Sequence, residues 1–121
     1  MAYVSFMTTS EIATVLAWHD ALNARDFDTL AQVSSGDIEF GDASGAGQGH
    51  EALREWANSV EVTAADPERM YVRDGVVVAE EQGGDAVAFR VVRDHVTSVF
   101  RHPDLRSALA ATELTEEDLA G

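Results

Sequence analysis

The chain has 121 residues and a formal net charge of −14, with 22 acidic residues against 8 basic ones and no cysteine. This length predicts one domain over residues 1–121, and the missing cysteines exclude disulfides, thiolate nucleophiles and zinc–thiolate sites. The electrostatic field of so acidic a protein repels phosphate backbones and anionic lipids. We therefore expect neither nucleic acid nor a membrane surface as a partner. Without a signal-peptide pattern or a long apolar run, we expect a cytoplasmic protein.

The first elements are helices. Thr8 and Glu11 have the spacing of a capping box, and the apolar residues that follow at helical intervals predict a first helix over about 9–24. Asp26 then follows as the N-cap of a second, short helix that ends near 34–36. The two helices are predicted to form a hairpin.

A strand and a glycine-rich segment come next. Ile38, Phe40 and Asp42 alternate with polar residues and glycine, the period of a strand with one buried face, and this register places Asp42 on the apolar side. The segment 43–49 reads as a flexible loop. Its glycines follow a G-x-G-x-G spacing that misses the dinucleotide fingerprint, and the chain has no lysine for a P-loop. We therefore expect no bound cofactor.

The second half changes from helix to strand. Leu53, Trp56 and Ala57 share one face of a third helix predicted over about 50–60. Valine-rich runs after it, separated by turn signals such as Asp74-Gly75, predict four antiparallel strands in meander order. A short C-terminal helix closes the chain. This order is typical of an α+β fold, in which helices gather on one side of a mostly antiparallel sheet.

Four segments, WHDALNARDFDTL, DIEFGD, GHEALREWANS and FRVVRDHVTSVFRH, resemble the NTF2-like superfamily, particularly its small SnoaL-like branch. The resemblance covers about residues 8 to 110. It implies an α+β cone, with three helices packed in the concave face of a curved sheet around a mostly apolar cavity, commonly as a dimer. Its members include ketosteroid isomerases, polyketide cyclases, limonene epoxide hydrolases, dehydratases and proteins without chemistry, so the fold does not name a reaction.

Asp42 is the first candidate catalytic residue. The resemblance places it where the ketosteroid isomerases keep their catalytic carboxylate, and it places Trp18 where those isomerases have a tyrosine. An aspartate in an apolar pocket can shuttle a proton near neutral pH, because desolvation disfavours its charged form. The alternative is that Asp42 ends the strand and caps the following turn.

The other candidates lie on predicted inward faces. His19, on the first helix, could act as an acid, a base or a hydrogen-bond donor, or could be a satisfied core residue. The histidines lack the partners expected of a metal site, so no metal is expected. Aromatic walls suit a flat apolar ligand, and they equally fill a core. The predicted wall residues are Trp18, Phe40, Trp56 and Phe89.

Two functions follow from these patterns. The first is a pocket protein that binds or transforms a small, largely apolar molecule by carboxylate general acid/base chemistry, through Asp42 and His19. The second is a non-catalytic homodimer with a filled cavity, which associates through the outer face of its sheet. The run 76–79 favours the second, because it is apolar on both strand faces.

Overall fold

A computed structural model describes residues 2–42, 45–59, 67–81 and 84–120 of the chain, with backbone alone for 2–10, 42, 59, 67 and 68. Its elements in chain order are α1 (Ala2–Asn23), α2 (Phe27–Gln32), β1 (Ser34–Asp42), β2 (Gly45–Gln48), α3 (His50–Ser59), β3 (Pro67–Arg73), β4 (Val76–Glu81), β5 (Ala86–Val92), β6 (His95–His102), α4 (Leu105–Thr112) and the 3₁₀ turn η1 (Glu116–Asp118). None of the helices in these ranges is long and apolar enough to cross a membrane.

The six strands form one curved, unclosed sheet in the order β2-β1-β6-β5-β4-β3. Strands β3 to β6 are the predicted antiparallel meander. Strand β1 joins the meander parallel to β6 and pairs antiparallel with β2 on its other side. The α+β architecture and the mostly antiparallel sheet are therefore confirmed.

The main core lies between helices α1 to α3 and the concave face of the sheet. Alternation along the strands selects which side chains reach it: Val77 and Ala79 of β4 are fully buried there, as is Ile38 of β1. On the helices, Val15 and Leu30 are fully buried against them. This layer forms the predicted cone, with α1 to α3 lying in its hollow.

The outer face of the sheet is partly covered by the C-terminal segment. Helix α4 places Ala108 in a second apolar cluster, together with Leu114 beyond its end and Val78 and Tyr71 of the sheet. Asp104 caps the helix, and its Oδ1 accepts from Ser107 N at 2.8 Å. The two-sided apolar pattern of β4 that suggested a dimer is thus accounted for within one chain, because α4 covers Val78.

The same segment pairs with the outer edge of β3. Tyr71 forms a β-bridge with Leu119, and Ala120 N donates to Met70 O at 2.8 Å. Arg73 also donates to Glu113 O and lies near Asp118. Arg73 therefore links the C-terminal segment to the sheet.

Two local predictions were wrong. Helix α1 begins at Ala2, so Thr8 lies inside the helix rather than capping it, because no glycine or proline interrupts residues 2–8. Part of the predicted glycine-rich loop is strand β2, since Gly45 to Gln48 pair with β1 as a hairpin. Glycine carries little strand signal of its own, and here the pairing partner decides the conformation.

Candidate functional site in the cone

An aromatic cluster occupies the hollow of the cone. The ring centroids of Trp18 and Trp56 lie 6.2 Å apart in a stacked arrangement with an interplanar angle of 29°. Phe40 is tilted against Trp56, with a centroid distance of 5.5 Å. Phe89 meets Trp18 edge-on at 5.6 Å. These are favourable offset and edge-to-face geometries, so the cluster stabilises the fold as well as lining its interior.

Trp18 is held in place by a hydrogen bond from its indole. Its Nε1–H donates to Ser34 Oγ at 3.1 Å, and the Ser34 hydroxyl donates in turn to Leu30 O at 2.7 Å. The side chain is only 2% exposed. The resemblance places Trp18 where the ketosteroid isomerases have a tyrosine; here its N–H donates to a buried serine, and the side chain lines the cavity as a rigid wall.

His19 faces the interior as predicted. It is 5% exposed and lies edge-on to Phe89, with centroids 5.3 Å apart and an interplanar angle of 86°. Its neighbour along the helix, Trp18, meets it at 6.1 Å. The ring is therefore held in one orientation at the cavity, which is the placement that either a proton-transfer role or a core role requires.

The cavity between these side chains is small. Its volume is about 30 Å³, and its lining includes Trp18, His19, Phe40 and Trp56. A void of this size holds about one water molecule, whereas sites for drug-sized ligands measure roughly 300–1,000 Å³. Phe89 does not line it, but supports Trp18 and His19 from behind. The interior is therefore mostly filled in this conformation.

A charged cluster borders the cavity. Arg101 of β6 is the one permanently charged group among the described residues of the lining. Its Nη1 donates to Glu81 Oε1 and to Asp85 Oδ2, at 3.1 Å in both cases. The Glu81 side chain is 3% exposed and the Arg101 side chain 40% exposed. The two carboxylates flank the β4–β5 hairpin, where Glu81 N donates to Asp85 O at 2.9 Å.

Sequence reasoning missed this cluster, although its signal was present. Glu81 lies an even number of residues from Val77 and Ala79 in β4, and Arg101 lies two residues from Val99 in β6, so each shares a strand face with apolar core residues. Extending the apolar alternation by one step puts both side chains on the concave face. Their pairing could not be read from the sequence, because it depends on β5 lying between β4 and β6 in the sheet.

Asp42 is the last residue of β1, and its side chain lies outside the described residues. Its backbone pairs with Gly45. The preceding residue, Gly41, is in register with Phe100 of the parallel strand β6. Asp42 and Arg101 each follow by one residue, which makes their positions adjacent on the two strands. Contact between Asp42 and a ligand stays a prediction.

His50, by contrast, has a structural partner. It is the first residue of α3, and its Nε2 lies 3.1 Å from Ser34 O, where it donates to the carbonyl. The observed start of α3 at His50 agrees with the third helix predicted over about 50–60. Elsewhere in the described ranges, no three metal-ligating side chains lie together.

A larger concavity lies on the opposite, outer face of the sheet. This outer groove has a volume of about 950 Å³ and lies between β1, β5, β6 and the last turn of α4. Its side chains include Glu39, Arg90, Ser98 and Phe100. Phe100 is 37% exposed there, one of the large apolar side chains that the chain leaves accessible.

No protein-family model matches the sequence, and no curated protein matches it significantly. Solved structures do match the fold, and three show the range. A protein of unknown function from Cytophaga hutchinsonii has a TM-score of 0.68 at 16% identity, over 80% of this chain and 92% of that one. A provisionally assigned ketosteroid isomerase from Kribbella flavida has a TM-score of 0.66 at 15% identity, over 78% and 77%. An LEH-like epoxide hydrolase from Mycobacterium tuberculosis has a TM-score of 0.66 at 17% identity, over 87% and 92%.

These three proteins carry different descriptions, so the likeness speaks to architecture and not to a shared reaction. It agrees with the strand order, the helices in the concave face and the parallel placement of β1 beside β6. The chain therefore has the NTF2-like fold.

Proposed function

We propose that the cone binds a small, largely apolar molecule that carries an oxygen acceptor directed at Arg101, and acts on it by general acid/base chemistry. The observation that carries the proposal is the cluster of Glu81 and Arg101 beside an aromatic cavity. Burying the Glu81 carboxylate costs desolvation and is a poor way to gain stability, so its presence beside a cavity favours a role in recognition.

Arg101 has further N–H donors that could bind a ligand. A guanidinium carries five N–H groups, and the contacts with Glu81 and Asp85 both use Nη1. Among the described residues, none accepts from its Nε or Nη2. These donors can hold a carbonyl or epoxide oxygen and stabilise negative charge that develops on it. Asp42, adjacent in register, is the proposed base: it takes a proton from carbon or from water and returns it to the product.

The test is binding and turnover across a panel of small apolar ketones and epoxides, for the wild type and Asp42→Asn. The variant keeps the size of the side chain and removes its basicity, so we expect retained binding and lost turnover. Unchanged turnover would exclude Asp42 from the mechanism. Arg101→Met should weaken binding, and Arg106→Met, which removes an exposed arginine of α4, is the matched control.

The small cavity favours a second candidate, the non-catalytic homodimer. The outer groove has a self-complementary charge pattern: Glu39, Ser98 and Arg90 are in register across β1, β6 and β5. A two-fold axis parallel to β6 would place Arg90 of each copy against Glu39 of the other, with the two Phe100 side chains in contact. Phe100 supplies the apolar centre that such an interface needs.

Sedimentation with a charge swap tests the dimer. We expect Arg90→Glu and Glu39→Arg each to dissociate it, and the double variant to restore it by exchanging the charges. A wild-type chain that sediments as a monomer at micromolar concentration would eliminate this candidate. The dimer and the ligand site use opposite faces of the sheet, so either result leaves the other test intact.

A further inference from the structure

The charge of Arg101 is already compensated by two carboxylates that flank the β4–β5 hairpin. Its Nη1 donates to Glu81 Oε1 and to Asp85 Oδ2, at 3.1 Å in both cases. The three side chains together carry two negative charges and one positive charge. We propose that Glu81 and Asp85 make the cone selective for neutral ligands, so that it accepts a ketone or an epoxide and excludes a carboxylic acid of the same shape. This selectivity rests on the function proposed above.

No second lysine or arginine lies in the described lining to hold an anionic ligand. The chain has no lysine, and its eight residues of the Lys and Arg class are all arginines within the described ranges. Of these arginines, Arg101 alone lines the cavity. An arginine beside an apolar cavity is the usual anchor for a carboxylate, through paired hydrogen bonds and opposite charge. Here two carboxylates of the protein already surround Arg101, so the carboxylate of a ligand would be a third.

The rest of the described lining gives an anion little compensation. It contains no hydroxyl or amide side chain and is mostly apolar. The indole N–H of Trp18 already donates to Ser34 Oγ at 3.1 Å. A carboxylate that leaves water for this site loses its hydration and is repelled by Glu81, whereas a ketone oxygen needs only a hydrogen bond. A guanidinium that is paired with carboxylates can still donate such a bond, because it has five N–H groups.

Glu81 is the stronger determinant of the two carboxylates. Its side chain is 3% exposed, whereas that of Asp85 is 51% exposed. Water and salt screen the charge of an exposed group much more than that of a buried one. The repulsion of an anionic ligand therefore comes mainly from Glu81, and removal of its charge should change the selectivity most.

Acetophenone and benzoate are a matched pair of probes. The two molecules have nearly the same shape, and benzoate has a charged oxygen where acetophenone has a methyl group. Trp18 and Trp56 are the two tryptophans of the chain and both line the cavity, so ¹⁹F resonances of protein labelled with 5-fluorotryptophan report binding there rather than in the outer groove. Titrations at about pH 8, where ordinary histidine side chains are neutral, keep a charge on His19 out of the comparison. We expect the wild type to bind acetophenone about tenfold more tightly than benzoate, or more; equal affinities overturn the inference.

Glu81→Gln is the decisive variant, because it keeps the length of the side chain and removes its charge. We expect its affinity for benzoate, relative to acetophenone, to rise about tenfold or more above that of the wild type. Glu80→Gln is the matched control: it makes the same change at the adjacent residue of β4, which pairs with Arg69 at 3.4 Å, and should leave the ratio unchanged. A ratio in Glu81→Gln equal to that of the wild type overturns the inference.

A second variant covers the case in which Glu81→Gln does not fold. Asp85→Asn removes the exposed charge, so the ratio should shift in the same direction by about threefold at roughly 0.01 M ionic strength, and less in high salt. No shift at low salt then overturns the inference.

The outcomes separate the inference from the proposed function. If acetophenone binds the wild type and Arg101→Met weakens this binding, but Glu81→Gln leaves the ratio unchanged, the function stands and the selectivity falls. If no ketone or epoxide of the panel binds the wild type or a folded Glu81→Gln, the proposed function and the inference both fall.

Discussion

Arg101 Nη1 lies 3.1 Å from Glu81 Oε1 and joins the ends of two strands that are not neighbours in the sheet, since β5 runs between β4 and β6. The carboxylate is buried and the guanidinium reaches solvent. One side chain thus compensates a buried charge and also lines the cavity.

Removing the cation should cost more than removing the pair. Breaking a fully buried pair costs roughly 3–5 kcal/mol, and the exposure of Arg101 reduces the expected loss for Arg101→Met to about 1–3 kcal/mol. The double variant Arg101→Met/Glu81→Gln should regain part of it, because no buried charge is left uncompensated. Urea unfolding measures both variants. A double variant less stable than Arg101→Met would contradict this account.

The bond between Trp18 and Ser34 gives a second prediction. Ser34→Ala leaves the indole N–H buried without its acceptor, so a loss of about 1–3 kcal/mol in unfolding free energy is expected. Trp18→Phe removes the donor as well, and in the background of Trp18→Phe the serine substitution should cost less. A double-mutant cycle by thermal or urea unfolding checks the coupling; additive losses would show that the bond contributes nothing.

Two glycines of β2 form a matched pair. A Cβ on Gly47 would lie 2.6 Å from Phe40 Cζ, whereas a Cβ on Gly45 meets nothing within 4 Å. Gly47→Ala should push Phe40 toward Trp56 and destabilise the fold by about 1–3 kcal/mol, the usual cost of overpacking. Gly45→Ala is the control and should be near neutral. Equal midpoints in urea would argue against the described packing of Phe40.

Glu11 gives a pH dependence on the side of α1 near the β3–β4 turn. Burial raises the pKa of Glu11, and Asp74 adds to this, while the Gly75 N–H opposes it. A carboxyl whose pKa is raised by folding stabilises the protein below its unfolded value of 4.5 and loses that contribution as pH rises through the folded value. Glu11→Gln should therefore melt higher than the wild type at pH 7, and the difference should vanish below about pH 4. A constant difference in Tm at all pH values would refute this.

Asp104 predicts the opposite dependence. The hydrogen bonds from Ser107 lower the pKa of Asp104 from 3.8, so its contribution is complete above that pH and is lost as pH falls through the folded value. Asp104→Asn keeps a capping oxygen without the charge and should flatten this part of the acid transition. Asp104→Ala should lower Tm at neutral pH as well. The assignment fails if Asp104→Asn and the wild type lose stability in parallel below pH 4.

Regular periodicity made most of the fold predictable. The spacing of Leu53 and Ala57 and the alternation of Ile38 and Phe40 reflect burial on one face, which is a local property of the sequence. Strand β2 could not be found in this way, because none of its four residues is buried and its pairing depends on β1. Helix α1 was predicted too short because a capping-box spacing at Thr8 also occurs inside helices.

The site was predictable only in its apolar part. Helix and strand periods placed Trp18, His19 and Phe40 inward, where the structure has them. That Trp18 donates to Ser34 depends on how α1 crosses β1, and the joining of Arg101 to Glu81 depends on strand order. Both are tertiary relationships between distant segments, and the free volume left among the side chains is likewise set by packing.

The bridge between Tyr71 and Leu119 bears on solubility. A long sheet edge with unpaired backbone groups is a template on which another chain can add a strand. Leu119 and Ala120 occupy part of that template on β3, while the opposite edge is the four-residue β2. Loss of the last few residues would uncover the longer edge beside a valine-rich strand, and the C-terminal segment thereby protects this acidic protein from forming intermolecular sheet.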